Sequence, residues 1–193
     1  MREKKCISLI IIMISFALFY SYHVYYYFLT ERNNKVADEY IENTIIKKTP
    51  VEKTIDAKEN ESFFGVLEIP KINLKEGFYN KNSSKNNVNQ SVTLLKESIM
   101  PDESNSIIYL AAHSGNGHLA YFKNINKLTN GDIVKMFFQN SEYNYVITDI
   151  YEYPKNGSIV VNKNSTQDYL VLTTCSNNKN MQIVIISKLI SKV

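Results

Sequence analysis

The stretch LVLTTCSNNKNMQIVIISKL, Leu170–Leu189, contains two apolar runs separated by a short polar segment. The first run ends at Cys175, and the second begins at Gln182. Both runs have the length and the β-branched content of buried strands. A structural cysteine would be expected inside such a strand, whereas this one stands at its end, where side chains meet solvent. Cys175 is therefore a candidate reactive thiol.

A third apolar run, Ile107–Ala112, also ends at a polar residue, His113. His113 precedes Cys175 by 62 positions. If the two strands are neighbours in a barrel, both side chains face one rim. A cysteine beside a histidine is the minimum for a thiol nucleophile, because the thiolate attacks and the imidazole transfers protons. Spacing alone still favours ordinary core or surface roles for the two residues.

The other two histidines are weaker candidates for a site. His118 lies deeper in the glycine-containing loop that follows His113, and the pair lacks the further clustered ligands that a metal needs. His23 lies in the apolar N-terminal segment and is interpreted as an interfacial residue. The sequence therefore predicts no metal site.

The N-terminal 29 residues have the composition of a membrane segment. Cys6–Leu29 contains no acidic or basic residue except His23. This segment is long enough to cross a bilayer. The tyrosines within Tyr20–Tyr27 suit the membrane–water interface, and the basic residues of Met1–Lys5 favour a cytoplasmic N-terminus. We predict an uncleaved signal anchor over residues 1–29, with residues 7–29 in the membrane and the rest of the chain outside. A buried helix of a soluble protein is the alternative.

This topology separates the two cysteines, because Cys6 lies at the cytoplasmic face and Cys175 outside. A single free cysteine in an extracellular domain is unusual and is exposed to oxidation. Its presence favours a chemical role. The net charge of +3 over 193 residues is too small to indicate a nucleic-acid partner, and no basic run with interleaved aromatic residues occurs.

Residues 30–62 are predicted to form an extracellular linker, with an amphipathic helix before Pro50 and a tether over Val51–Ser62. From Phe63 onward the pattern changes to short strands with turn signals, plus a short helix over Ala120–Leu128. About eight strands and few helices predict a closed antiparallel barrel, which leaves no exposed edges. The predicted strands are Phe64–Ile69, Ile72–Leu74, Val92–Lys96, Ser106–Ala112, Ile133–Phe138, Glu142–Tyr153, Asp168–Thr174 and Gln182–Leu189.

Four motifs in this region resemble those of one known family. Val171–Cys175 resembles the Thr-Leu-x-Thr-Cys signature of sortases, with valine in place of the first threonine, and Ala111-Ala112-His113 resembles their Ala-Gly-His. Tyr121–Asp132 is similar to the family's Phe-x-x-Leu-x-x-Leu-x-x-Gly-Asp run, and Gly65–Pro70 to its Gly-x-Leu-x-Ile-Pro. The four motifs occur in the family's order within residues 63–193.

The resemblance implies an all-β fold, a sortase-type eight-stranded closed β-barrel with short helices, outside a Gram-positive-type membrane. It implies a cysteine transpeptidase that cuts secreted proteins at a C-terminal Leu-Pro-x-Thr-Gly-like sorting signal. On this interpretation Cys175 forms a thioacyl enzyme, and an amine of a peptidoglycan precursor or a pilin resolves it. His113 protonates the leaving amine and then acts as the base. No cofactor or metal is needed.

The third catalytic position departs from the family pattern. Sortases carry an arginine at the start of the last strand, where this chain has Gln182, and its only arginines, Arg2 and Arg32, precede the barrel. We expect Gln182 to act as a neutral hydrogen-bond donor, although a charged donor is about twice as strong. Charge supplied by Lys179 or Lys188, and a slow or degenerate enzyme, are the alternatives.

The resemblance also places the substrate beside the nucleophile. Thr173, Thr174 and Ala112 are expected to line the peptide groove, although Thr173 could equally continue the strand, and Glu152–Gln167 is long enough to wall the groove. A class B-like or otherwise unassigned sortase is the favoured subclass. Competing hypotheses are an L,D-transpeptidase or cysteine peptidase, and a non-catalytic binding barrel descended from a sortase.

Overall fold

The computed structural model describes residues 2–46, 63–155, 159, 161 and 166–193, with the side chains of the first helix described from Ile7 onward. These residues form one long α-helix, eight strands and two short 3-10 helices, Pro70–Ile72 and Ile125–Lys127. The α-helix is α1 (Arg2–Ile46), and the strands are β1 (Gly65–Ile69), β2 (Leu74–Phe78), β3 (Thr93–Leu94), β4 (Ile107–Ala111), β5 (Ile133–Phe138), β6 (Ser141–Pro154), β7 (Tyr169–Cys175) and β8 (Met181–Lys192).

The chain divides into two compact units, Met1–Val36 and Ala37–Val193. α1 continues past the predicted boundary at residue 30, because residues 2–46 contain neither glycine nor proline to interrupt it. In the part of the chain that the structure describes, α1 is the one helix long and apolar enough to cross a membrane by length and composition. The predicted tether, Val51–Ser62, lies outside the described residues.

The eight strands form one sheet in the order β2-β1-β5-β6-β8-β7-β4-β3. A bridge between Phe78, at the end of β2, and Val92, just before β3, joins the two ends of the sheet, so the barrel is nearly closed. The predicted eight-stranded barrel is confirmed. The expectation that it is wholly antiparallel is wrong, because β4 and β7 pair in parallel.

The barrel interior is filled by a large apolar cluster that includes Leu67, Phe78, Leu110, Leu172 and Ile185. A second cluster lies on the opposite side of β4, β7 and β8, and we call it the outer cluster; it consists of Ile107, Tyr169, Val171, Val184 and Ile186. Both sides of β7 are therefore buried, which accounts for a continuous apolar run in place of the usual alternation.

Two local predictions differ from the structure. The short strand predicted at Ile72–Leu74 is a 3-10 helix ending at Ile72 followed by β2, because Pro70 starts the helical turn and Asn73 ends it at φ 51°. The helix predicted over Ala120–Leu128 is a series of turns with one 3-10 segment. Its apolar residues Phe122, Ile125 and Leu128 still face the core, since a spacing of three also suits a 3-10 helix.

The last turns of α1, Ala37–Ile46, pack on the outside of β1 and β5. Ala37 lies in a small buried cluster with Phe63, Val66 and Phe137. The Tyr40 hydroxyl donates to the Phe64 carbonyl at 2.9 Å. This helical segment is thus part of the barrel domain's packing.

Candidate active site

Strand register brings His113, Cys175 and Gln182 into one row. The parallel pairing of β4 with β7 places Ala111 opposite Thr173, and the Ala112 amide still donates to the Thr173 carbonyl at 3.3 Å. Two residues further along, His113 therefore lies beside Cys175. On the other side of β7, Cys175 pairs directly with Gln182 of β8. Neighbouring strands are about 4.8 Å apart, so both partners flank the thiol.

The side chains of Cys175 and Gln182 share one side of the sheet, and the alternation of β4, continued two residues past Ala111, assigns His113 to the same side. Residues in register project to the same side, and along β7 the side alternates with each residue. Cys175 therefore projects on the side of Val171 and Tyr169, which belong to the outer cluster. The six residues before it in β7 are buried, whereas Cys175 is an exposed free thiol. A packed strand thus presents a reactive group at its end.

The backbone around Cys175 is fixed from two directions. The Ser114 hydroxyl donates to the Cys175 carbonyl at 2.7 Å, which ties the residue after His113 to the peptide group of Cys175. The Ser176 amide donates to the Met181 carbonyl at 3.0 Å and closes the short turn to β8. The thiol therefore stands on an ordered rim between two strand ends.

His113 is half-buried and its ring has one protein partner among the described residues. Its Nε2 atom lies 3.1 Å from Oδ1 of Asn89. Its carbonyl accepts the Phe122 amide at 2.9 Å, which anchors the loop that leaves β4. These two contacts hold His113 in place just after the end of β4.

Gln182 is held at both ends of its side-chain amide. Its Oε1 atom accepts from the Thr173 hydroxyl at 3.1 Å. Its Nε2 atom donates to the Pro154 carbonyl at 3.4 Å, which leaves a second N–H on the same nitrogen. The amide is thereby held in place on the strand next to Cys175, with one N–H that these two contacts do not use.

The two lysines considered as alternatives to Gln182 occupy different places. Lys188 pairs with Tyr169 at the other end of β7, six residues from Cys175, or about 20 Å along the strand. Lys179 is exposed in the turn between β7 and β8. Lys188 is too distant to supply charge at the thiol.

Comparison with known proteins identifies the fold that carries this row of residues. The family model of the sortase domain matches residues 67–190. The chain belongs to the sortase family. This places it among cysteine transpeptidases and agrees with the motif order predicted from the sequence. No curated protein matches the chain.

Solved sortase structures share its fold at low sequence identity. A Clostridium perfringens Sortase D5 transpeptidase is 20% identical with a TM-score of 0.61, and the match covers 82% of this chain and 98% of that one. Streptococcus pneumoniae Sortase C is 21% identical with a TM-score of 0.61 over 75% of each chain. A lid mutant of Corynebacterium diphtheriae Sortase A is 13% identical, with a TM-score of 0.61 over 84% of this chain and 94% of that one.

The residues expected to line this sortase's peptide groove take different positions. Thr173 projects on the side of Cys175, but it is buried and its hydroxyl is engaged by Gln182. Thr174 projects into the barrel, where its hydroxyl donates to the Ala112 carbonyl at 2.7 Å. Ala112 is buried in the interior cluster. Thr174 and Ala112 therefore join the ends of β4 and β7 on the interior side of the barrel.

The predicted groove wall, residues 152–167, lies only partly within the described residues. Of its described members, Ile159 and Val161 pack against the outer cluster. The described residues contain no group of three or more His, Cys, Asp or Glu side chains that could hold a metal ion.

Two residues that contact His113 and Cys175, Asn89 and Ser114, carry no motif in the sequence. Asn89 belongs to the Asn- and Ser-rich loop over residues 79–90, which has no periodicity that would single out one member. Ser114 directly follows His113, and that adjacency was the one available signal. Both residues become visible only through the hydrogen bonds that the fold creates.

Proposed function

We propose that this sortase is a membrane-anchored extracellular transpeptidase that joins secreted proteins to a cell-wall or pilin amine. The substrate is a C-terminal, Leu-Pro-x-Thr-Gly-like sorting signal, and the acceptor is an amine of a peptidoglycan precursor or a pilin. The observation that carries the proposal is the row His113–Cys175–Gln182 across three adjacent strands. Residues 7–29 of α1 would hold the enzyme in the membrane.

The first half-reaction forms a thioester. The Cys175 thiolate attacks the scissile carbonyl carbon, and a C–S bond forms as the carbonyl oxygen becomes an oxyanion. Gln182 donates its free Nε2 hydrogen to that oxyanion, since an oriented donor lowers the barrier when charge develops. The C–N bond then breaks, and His113 gives its proton to the leaving amine.

The second half-reaction reverses these roles. The acceptor amine attacks the thioester carbon, and neutral His113 takes a proton from the attacking nitrogen. The C–S bond breaks, which regenerates the Cys175 thiolate and leaves a new amide. Thr173 lines the groove next to Cys175, while Thr174 and Ala112 support its floor from the interior. The row of residues accounts for both steps without a metal or an organic cofactor.

The decisive experiment uses the full chain in detergent micelles with a panel of sorting-signal peptides, read by mass spectrometry. We expect a covalent adduct on Cys175 and cleavage of one peptide class, both absent in Cys175→Ala. Added acceptor amines should convert the adduct into an amide product. Cleavage that persists in Cys175→Ala would disprove the thioacyl mechanism, and hydrolysis that no amine diverts would indicate a peptidase.

The loss of the family's arginine favours one second candidate, a non-catalytic binding barrel. Iodoacetamide labelling separates the two, because a working nucleophile reacts faster than an ordinary exposed thiol. Labelling of folded Cys175 no faster than that of a free cysteine peptide, together with peptide binding but no cleavage, would support the binding barrel.

A further inference from the structure

The contact between Asn89 and His113 joins the site to a loop that no sequence motif marks. Asn89 Oδ1 lies 3.1 Å from His113 Nε2, and the two residues are 24 positions apart. A side-chain carbonyl oxygen only accepts hydrogen bonds, so the Nε2 atom must carry the proton. Nδ1 is then the ring nitrogen left to exchange protons.

The loop that carries Asn89 is itself held in place. The Asn89 amide donates to Oδ1 of Asn87 at 3.1 Å, which forms a local turn. The Tyr121 hydroxyl donates to the Gln90 carbonyl at 3.1 Å. Tyr121 precedes Phe122, whose amide binds the His113 carbonyl. The Asn89 loop and the loop after β4 are thus joined by two contacts, Asn89 with His113 and Gln90 with Tyr121.

We propose that Asn89 is a positioning residue that holds the His113 ring with Nε2 protonated, so that Nδ1 serves as the acid–base atom toward Cys175. The proposal rests on the acid–base role given to His113 above. A neutral amide oxygen can accept a hydrogen bond from the Nε2–H group of both imidazole and imidazolium. The contact therefore persists through both half-reactions, and it fixes the ring without adding charge.

The test compares Asn89→Ala and Asn89→Asp in the full chain, with Asn126→Ala as the control. Asn126 is exposed in the second 3-10 helix and takes no part in the site. We expect Asn89→Ala to lower kcat about tenfold with little change in KM. Asn89→Asp keeps an acceptor oxygen and should preserve the orientation of the His113 ring. Its added negative charge should move the pH profile of kcat toward higher pH. Asn126→Ala should match the parent enzyme.

A measurement that needs no peptide substrate separates this proposal from the proposed function. Ring ¹⁵N shifts of labelled histidines, assigned with a His113→Gln sample, should change for His113 in both Asn89 variants and stay constant for His118. In Asn89→Asp, the His113 signals should titrate at higher pH than in the parent. Those changes would support the contact even if no sorting peptide were cleaved.

Unchanged His113 shifts in both variants would overturn the proposal. A lower kcat in Asn89→Ala combined with an unmoved pH profile in Asn89→Asp would also overturn it, because that result describes general disturbance of the loop. Thermal unfolding of each variant shows whether the fold is intact.

Discussion

At the scale of single residues, Thr173, Thr174 and Cys175 show what a sequence can and cannot reveal. The run of apolar residues ending at Cys175 correctly indicated a buried strand with an exposed end. Both sides of β7 are buried, however, so the sequence lacks the alternation that would assign Thr173 and Thr174 to opposite sides. Asn89 was equally hidden, because its role depends on a contact 24 positions away.

Gln182 provides the first prediction at this scale. Gln182→Ala removes the proposed donor, and we expect thioacyl formation to slow by roughly 100- to 1,000-fold. Gln182→Arg should accelerate it above the parent rate, because a cation stabilises both the thiolate and the oxyanion. Rapid-quench mass spectrometry of the acyl enzyme measures both rates. Lys188→Ala, at the far end of β7, is the control, and equal rates in parent and Gln182→Ala would remove Gln182 from the site.

Thr174 provides the second prediction. Thr174→Val keeps the shape of the side chain but leaves the buried Ala112 carbonyl without its donor at 2.7 Å. We expect the free energy of unfolding to fall by about 1–3 kcal/mol. Thr174→Ser retains the hydroxyl and should lose less. Urea unfolding followed by circular dichroism checks this, and equal stability of the valine and serine variants would contradict it.

At the scale of elements, long alternating or apolar runs were predicted well and short connections poorly. β5 has the predicted bounds, β6 extends one residue beyond its prediction at each end, and β8 begins one residue earlier and ends three residues later than predicted. The segment around Ala120–Leu128 has helical spacing, but its backbone forms hydrogen bonds with the loop after β4. The Phe122 amide, for example, donates to the His113 carbonyl. Tertiary contacts of this kind override local preference. Nor does local pattern reveal that β4 and β7 run in parallel.

The start of β1 gives the element-scale prediction. A Cβ atom on Gly65 would lie 2.3 Å from Cζ of Phe78 and 2.9 Å from the Phe137 carbonyl oxygen. Phe78 is fully buried, so its ring has no room to move. We expect Gly65→Ala to destabilise the protein by about 1–3 kcal/mol or more. Gly117→Ala, where nothing lies within 4 Å, is the control; similar thermal midpoints for the two variants would refute the close-packing explanation.

At the scale of the whole molecule, one carboxyl group faces the apolar barrel. Glu76 lies between Leu74 and Phe78 on β2, and those two side chains belong to the interior cluster. Burial raises the pKa of Glu76 to about 7. The sequence gives no indication of this, because Glu76 looks like the polar member of an ordinary alternating strand.

The raised pKa predicts a pH dependence of global stability. The folded state binds the Glu76 proton more tightly than the unfolded state, in which the pKa of this carboxyl is 4.5. The bound proton therefore stabilises the fold fully below pH 4.5, and this stabilisation is lost as pH rises through about 7. Glu76→Gln should remove this loss and raise stability at pH 8 by roughly 1–3 kcal/mol. Urea unfolding of both proteins from pH 5 to 8 measures it, and parallel curves would refute the prediction.

The parallel pair β4–β7 also determines when during folding the site can exist. Its partners are 62 residues apart in the chain, and closing a loop of that length costs about 4 kcal/mol of entropy before any contact compensates. Such long-range pairings form late and slowly. His113 and Cys175 therefore come together only in a chain that has completed its barrel. A half-folded copy therefore holds Cys175 apart from His113, and its thiol has no imidazole beside it.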